Sequence, residues 1–104
     1  MYRQGDILLI SVNRLPENVQ AESSENSQAV LAYGEATGHA HMIEEGARIW
    51  VDVNDRGRRY LEVTVQDALV RHQEHGVICL KGPQVYEIIR QREYTPQEVR
   101  VVRD

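Results

Sequence analysis

The sequence has little cysteine, few aromatic residues and no long apolar segment. Its 104 residues include a single cysteine, Cys79, so no disulfide can form within the chain and a disulfide-stapled secreted scaffold is excluded. The apolar run within residues 1–16 is too short for a signal peptide or a membrane span. We therefore expect a cytoplasmic protein that has no association with a membrane.

The sequence also lacks an excess of basic residues. Lys and Arg total 12 against 16 Asp and Glu, which gives a formal net charge of −4 with His neutral. A broad nucleic-acid-binding surface normally carries a basic balance, so this composition argues against nucleic acid as a partner. Arginine is nevertheless concentrated towards the end of the chain, at positions 90, 92, 100 and 103, which is compatible with a local basic patch.

Short runs of β-forming residues dominate the rest of the chain. The length fits a single domain over 1–104, and a hydrophobic fraction of 41% is enough for one modest core. Runs rich in Val and Ile that recur about every 8–12 residues predict an all-β fold, a small barrel or sandwich of short, mainly antiparallel strands. The predicted strands are 5–12, 29–34, 47–53, 60–65 and 84–94, together with a hairpin of 68–72 and 76–81.

Two segments fall outside this pattern of strands. Residues at about 13–28 are polar and rich in Ser, Asn and Glu, which predicts an exposed loop. In the tail, Thr95, Pro96 and Glu98 match a helix capping box, whereas "VRVV" favours a strand. We favour the strand, because a helix this short is marginal on its own.

All four histidines lie in two short segments, "GEATGHAHMIEEG" (34–46) and "RHQEHG" (71–76). In a strand, residues two apart face the same side, so His39 and His41 should project in parallel, about 7 Å apart. Two imidazoles at that spacing can converge on one metal ion, with metal–nitrogen distances of about 2.0–2.1 Å.

The geometry of the second pair depends on its turn. If Gln73 and Glu74 form a two-residue hairpin loop, His72 and His75 lie opposite each other and share a face. If Gly76 instead ends a type I turn, His75 lies near the tip and only His72 reaches inward. Gln-Glu is poor chemistry for a two-residue loop, so the second arrangement is favoured.

The leading hypothesis is a divalent-metal site with a structural or a catalytic role. Imidazole and carboxylate ligands suit several metals, of which zinc or iron is expected in cells. One alternative is a metal-free interaction module that uses an exposed strand edge to form a homo-oligomer. A second is a hydrolase of phosphate esters in which histidines act as acid and base beside Arg71 or Arg59. The candidate metal ligands are His39, His41, His72, His75, Glu74 and Glu45.

The segment "RQREY" (90–94) is a candidate anion site. Alternation along a strand places Arg90, Arg92 and Tyr94 on one face. Guanidinium groups bind carboxylate and phosphate bidentately. The favoured alternative is that these arginines pair with glutamates on neighbouring strands, the candidates being Glu62, Glu87 and Glu98.

Two resemblances accompany these motifs. The glycine followed by H-x-H and then Glu45 is similar to the first cupin motif, although Gly34 is one residue closer to His39 than usual and the second cupin motif is missing. That resemblance implies His39, His41, Glu45 and either His72 or His75 as metal ligands. The combination of "GEATGHAH", H-x-E-H and "QREYTP" resembles a group of short, uncharacterised bacterial and phage proteins, which implies no particular activity.

Overall fold

The computed structural model describes residues 1–22, 28–33 and 39–90. Within those residues every regular element is a strand, which confirms the all-β prediction. The predicted strand end at 91–94 and the tail at 95–104 lie outside the described residues. The strands are β1 Tyr2–Gln4, β2 Ile7–Val12, β3 Val19–Ala21, β4 Ala29–Tyr33, β5 Ala40–Ile43, β6 Ala47–Asp52, β7 Arg59–Val63, β8 Asp67–Val70, β9 Ile78–Lys81 and β10 Gln84–Arg90.

The strands form one large sheet and two hairpin sheets. The large sheet has six strands in the order β1-β2-β10-β7-β6-β3, and all its neighbours are antiparallel. The pairs β4-β5 and β8-β9 form separate two-stranded sheets. In the described part of the chain the sheets do not close into a barrel, so the open, sandwich-like alternative is the better description.

One hydrophobic core lies between the large sheet and the two hairpins. The large sheet contributes Leu9 and Leu61, β4-β5 contributes Leu31 and Ile43, and β8-β9 contributes Leu80, each at most 1% exposed. Alternation explains these positions, because every second residue of a strand faces the same side. Burial of these aliphatic side chains holds the three sheets together, since each contributes roughly 1.5–3 kcal/mol of hydrophobic transfer free energy.

The N-terminal part of the chain forms a tight hairpin. Gln4 pairs with Ile7, so Gly5 and Asp6 alone make the turn between β1 and β2. Gly5 has a φ of 60°, a conformation that glycine adopts without steric cost and that two-residue hairpin turns require. The sequence predicted one strand over 5–12, whereas the structure places the glycine in a turn between two strands.

A short strand also lies within the polar segment at 13–28. β3 pairs with β6 at the edge of the large sheet, with Val19 opposite Asp52. Residues 23–27 of that segment lie outside the described residues. Over the ranges that the structure describes, no helix is long and apolar enough to cross a membrane.

A single bridge joins the two hairpins. The amide of Met42 donates to the carbonyl of Arg71 at 3.0 Å, and the amide of Arg71 donates to the carbonyl of Met42 at 2.8 Å. Met42 follows His41 in β5, and Arg71 precedes His72 at the end of β8. This bridge therefore brings the two histidine segments side by side.

Tyr86 provides a test of the core at alkaline pH. Its ring is 3% exposed, and its hydroxyl donates to the carbonyl of Lys81 at 2.7 Å. Burial, with a smaller effect of Tyr2, raises the pKa of Tyr86 above its ordinary value of 10.0. The unfolded chain therefore ionises first, so the stability that depends on this hydroxyl is present below pH 10 and is lost as the pH rises further.

We expect the free energy of unfolding to fall more steeply above pH 10 in the wild type than in Tyr86→Phe. Urea titrations between pH 9 and 11 measure that slope. Tyr33→Phe, at a position 63% exposed, serves as the control and should keep the wild-type slope. Parallel slopes for the wild type and Tyr86→Phe would contradict the expectation.

Candidate metal centre

The four imidazole rings lie next to one another in the structure. His72 is central: its ring centroid is 4.3 Å from that of His41, 4.6 Å from that of His75 and 5.6 Å from that of His39. The rings of His41 and His75 are nearly parallel, with centroids 6.0 Å apart. The two segments that the sequence singled out are thus neighbours in space, as a shared site requires.

The loop that carries His72 and His75 is not the two-residue hairpin loop that was one of the two predictions. β8 ends at Val70 and β9 begins at Ile78, so the connection is longer than a two-residue hairpin loop. Nδ1 of His72 accepts the amide protons of Glu74 at 3.0 Å and His75 at 3.2 Å. That local turn brings both rings beside His41, whereas a type I turn was expected to leave His75 near the tip.

Gln4 fixes the orientation and the tautomer of His41. The Gln4 side-chain amide donates to the carbonyls of Val70 at 3.0 Å and Gly76 at 2.7 Å. Both of its N–H groups are therefore used, and its Oε1 must be the atom that faces Nδ1 of His41 at 2.8 Å. His41 therefore donates from Nδ1, and its Nε2 carries the lone pair when the ring is neutral.

Asp6 faces that second nitrogen. Its Oδ1 lies 3.2 Å from Nε2 of His41, and its Oδ2 accepts from Nε of Arg90 at 2.9 Å. Burial would raise the pKa of Asp6, but the hydrogen bond and charge of Arg90 outweigh it, so the pKa lies below its ordinary value. Asp6 is consequently a carboxylate at neutral pH.

Burial favours the neutral form of His41. The residue is 3% exposed, and burial lowers its pKa below the ordinary value of 6.5. The charge that His72 can carry lowers the pKa further, and Asp6 acts in the opposite direction. In the neutral ring, a lone pair on Nε2 and a carboxylate oxygen face each other at 3.2 Å, an arrangement that a proton or a metal ion would stabilise.

His72 is oriented differently. Because Nδ1 accepts two backbone amides, the proton of its neutral ring must lie on Nε2. Burial, followed by the neighbouring His75 and His39, lowers the pKa of His72 and keeps the ring neutral. In this conformation His72 offers a donor rather than a lone pair, so it would have to turn before it could bind a metal through Nε2.

The other predicted metal ligands include Glu74, Glu45 and His75. Oε1 of Glu74 lies 3.6 Å from Nδ1 of His39, while Glu45 is exposed in the turn between β5 and β6. His75 packs over Gly5, where an added Cβ would lie 2.6 Å from Nε2 of the ring. Across residues 1–22, 28–33 and 39–90, no three or more His, Cys, Asp and Glu side chains are grouped to hold a metal ion as they stand.

The metal-free acid–base alternative has weaker support from this geometry. A general base needs a nitrogen that can reach the proton of a substrate. Both nitrogens of His41 face protein side chains, namely Gln4 and Asp6, so this buried histidine presents neither to a substrate. Arg59, one of the two arginines that the sequence suggested for that role, is held by the carbonyls of β4.

The predicted anion site is described only in part. Arg90 pairs with Asp6 rather than with Glu62 or Glu87, and it also donates to the carbonyl of Tyr33. Glu62 accepts from the indole of Trp50, and Glu87 pairs with Arg58. Arg92 and Tyr94 lie outside the described residues.

Sequence reasoning missed Gln4 and Asp6, the side chains that face the two ring nitrogens of His41. The available signal was the Gly5-Asp6 dipeptide, since a glycine followed by an aspartate is typical of a two-residue hairpin turn. A turn at that point would have placed Asp6 at one end of the sheet. Which histidine it contacts depends on long-range packing that the local pattern does not contain.

Comparison with known proteins places the chain in a family. The model of a domain of unknown function, DUF8820, matches residues 3–91. The chain therefore belongs to that family, and the match spans nearly all of the described strands and all four histidines. Neither a curated protein nor a solved structure matches the chain.

Proposed function

We propose that the protein binds a divalent metal ion and that Asp6 and His41 form the fixed half of the site. The observation that supports this proposal is the pair of acceptors, Oδ1 and Nε2, held 3.2 Å apart. Two metal–ligand bonds of about 2.1 Å at an angle of about 100° span about 3.2 Å. The separation is thus the one that two ligands of one metal ion have.

The surroundings of His41 support the same proposal. A histidine that binds a metal through one nitrogen usually donates the other N–H to an acceptor, which fixes the tautomer. Gln4 is that acceptor, and it is 4% exposed and anchored to two backbone carbonyls. His41 is therefore already in the tautomer that metal binding through Nε2 needs.

The neighbouring histidines would complete the site. His75 is exposed and its ring lies parallel to that of His41, while His39 is two residues earlier in the chain. Completion of the site requires rotation of these side chains towards the pair. Imidazole with one carboxylate is a ligand set that suits zinc and iron(II), so zinc or iron remains the proposed occupant.

Calorimetric titration of tag-free, chelator-treated protein with zinc tests the proposal. We expect about one equivalent to bind. We also expect a rise in thermal stability that EDTA reverses, since a ligand of the native state stabilises it by about 2.7 kcal/mol at 100 times its Kd. Cobalt(II) in place of zinc should give visible absorption bands typical of nitrogen and oxygen ligands.

Variants separate a specific site from adventitious binding. Asp6→Asn should weaken zinc binding at least tenfold, because it removes an anionic ligand. Asp67→Asn is the matched control, since Asp67 is exposed and pairs with Lys81 on the β8-β9 hairpin. Absence of binding by the wild type, or equal losses in the two variants, would rule the site out, and melting without metal shows whether each variant is folded.

A further inference from the structure

A pocket separate from the histidines lies where β4 faces β7 and β10. Its volume is about 410 Å³, within the range of roughly 300–1,000 Å³ that is typical of small-molecule sites. Val30 and Ile88 contribute apolar surface to its lining, and Tyr33 is an exposed aromatic residue of the same lining. The lining also includes three charged side chains, namely Glu22, Arg59 and Arg90.

Arg59 is fixed in this pocket by an irregularity of β4. The pairing of β4 with β5 shifts register between Val30 and Ala32. Arg59 donates to the carbonyls of Leu31 at 2.6 Å and Val30 at 2.8 Å, and it pairs with Glu22 at 2.7 Å. Its charge is therefore held in place before any ligand arrives.

Arg90 supplies hydrogen-bond donors. Its Nε donates to Asp6, and its Nη2 donates to the carbonyl of Tyr33. A guanidinium has five N–H groups, so these two bonds leave donors for a further acceptor. Because two of its nitrogens are already bonded to fixed acceptors, the guanidinium is also oriented in advance.

The charge of the lining favours a single negative charge on the ligand. Arg59 and Arg90 contribute two positive charges and Glu22 contributes one negative charge. Asp6 contacts Arg90 but is not among the lining residues, and counting it brings the local charge to zero. A singly charged carboxylate therefore fits this surface better than a doubly charged phosphate does.

We propose that this pocket binds a small organic monocarboxylate, whose carboxylate pairs with Arg90 and whose apolar body packs on Val30 and Ile88. Guanidinium and carboxylate form a geometrically matched, charge-assisted pair. Val30 and Ile88 present apolar surface in the same lining, so an aliphatic chain that packs on them gains hydrophobic free energy. The site takes a different ligand class from the metal site, and the two sites adjoin through the ion pair of Arg90 with Asp6.

Titration of the full chain with sodium hexanoate tests this proposal, with binding followed by calorimetry and by amide chemical shifts. We expect saturable binding at one site, with the largest shifts at Tyr33 and Ile88. Hexanamide, which lacks the charge, and inorganic phosphate, which lacks the apolar body, should bind at least tenfold more weakly. Lack of saturation, or equal binding of hexanoate and hexanamide, would overturn the proposal.

Two charge variants at exposed positions should change the affinity for hexanoate in opposite directions. Glu22→Gln removes the negative charge of the lining and should raise the affinity for hexanoate roughly three- to tenfold. Tyr33→Glu adds a negative charge at an exposed position and should lower the affinity by a similar factor. A gain of affinity cannot arise from loss of the fold, so the pair of results distinguishes binding from destabilisation.

Glu87→Gln is the matched control for Glu22→Gln. Glu87 pairs with Arg58 as Glu22 pairs with Arg59, but Glu87 does not line the pocket. Its replacement should leave the affinity unchanged, and an equal gain in both variants would contradict a localised site. The titrations are made in EDTA, so the result does not depend on whether the proposed metal site exists.

Discussion

Replacing Gln4 by methionine should lower the free energy of unfolding by about 2–4 kcal/mol, because it leaves buried polar groups without partners. The amide of Gln4 satisfies the carbonyl of Val70 and Nδ1 of His41 in the protein interior. Methionine has a similar length but offers neither a donor nor a strong acceptor. The variant therefore keeps most of the packing and removes the hydrogen bonds.

Urea unfolding of Gln4→Met and Gln20→Met measures this effect. Gln20 lies exposed in the edge strand β3, so the same chemical change there should alter stability by less than about 0.5 kcal/mol. Similar losses in the two variants would show that Gln4 does not anchor the interior. If the metal site exists, Gln4→Met should also weaken metal binding about 10–100-fold, since loss of the partner of a ligating histidine has that effect.

Replacing Gly82 by alanine should lower the free energy of unfolding by about 3 kcal/mol or more. An added Cβ would lie 2.1 Å from the carbonyl oxygen of Val65 and 2.5 Å from Cγ1 of Val63. The first contact is with backbone, which cannot rotate away. The amide of Gly82 also donates to the carbonyl of Gln66 at 2.9 Å, so movement of this segment would disrupt a hydrogen bond.

Gly76→Ala is the control for that prediction. A Cβ at Gly76 meets no atom within 4 Å, so the substitution should change stability by no more than about 0.5 kcal/mol. Thermal or urea unfolding of the two variants gives the comparison directly. A Gly82→Ala protein as stable as Gly76→Ala would show that the β9-β10 turn does not approach β7 as closely as described.

The fold class could be predicted because local alternation reports burial directly. Alternation along "YLEVTV" (60–65) places Leu61, Val63 and Val65 on one apolar face, and Leu61 and Val63 are 0% and 1% exposed. Val65 is 41% exposed, because β7 ends at Val63 and the alternation does not continue beyond it. Alternation thus predicts the face of a residue within a strand and does not predict where the strand ends.

The candidate site could be predicted only in its histidines. Their clustering is a property of the sequence, whereas the contact of His41 with Gln4 joins residues 37 positions apart. The metal-binding role itself stays a prediction. The contributions of Gln4 and Asp6 could not be predicted because they depend on the docking of the β1-β2 hairpin against residues 70–76 and 90, for which no local pattern exists.

Docking of the β1-β2 hairpin against residues 70–76 and 90 limits when this part of the fold can form during synthesis. The ribosome completes the β1-β2 hairpin first, yet Gln4 needs Val70 and Gly76, and Asp6 needs Arg90. Gln4 and Asp6 therefore lack these partners until most of the described chain has been made. Contacts between such distant segments form slowly, so closure of the histidine site is expected to be among the last events of folding.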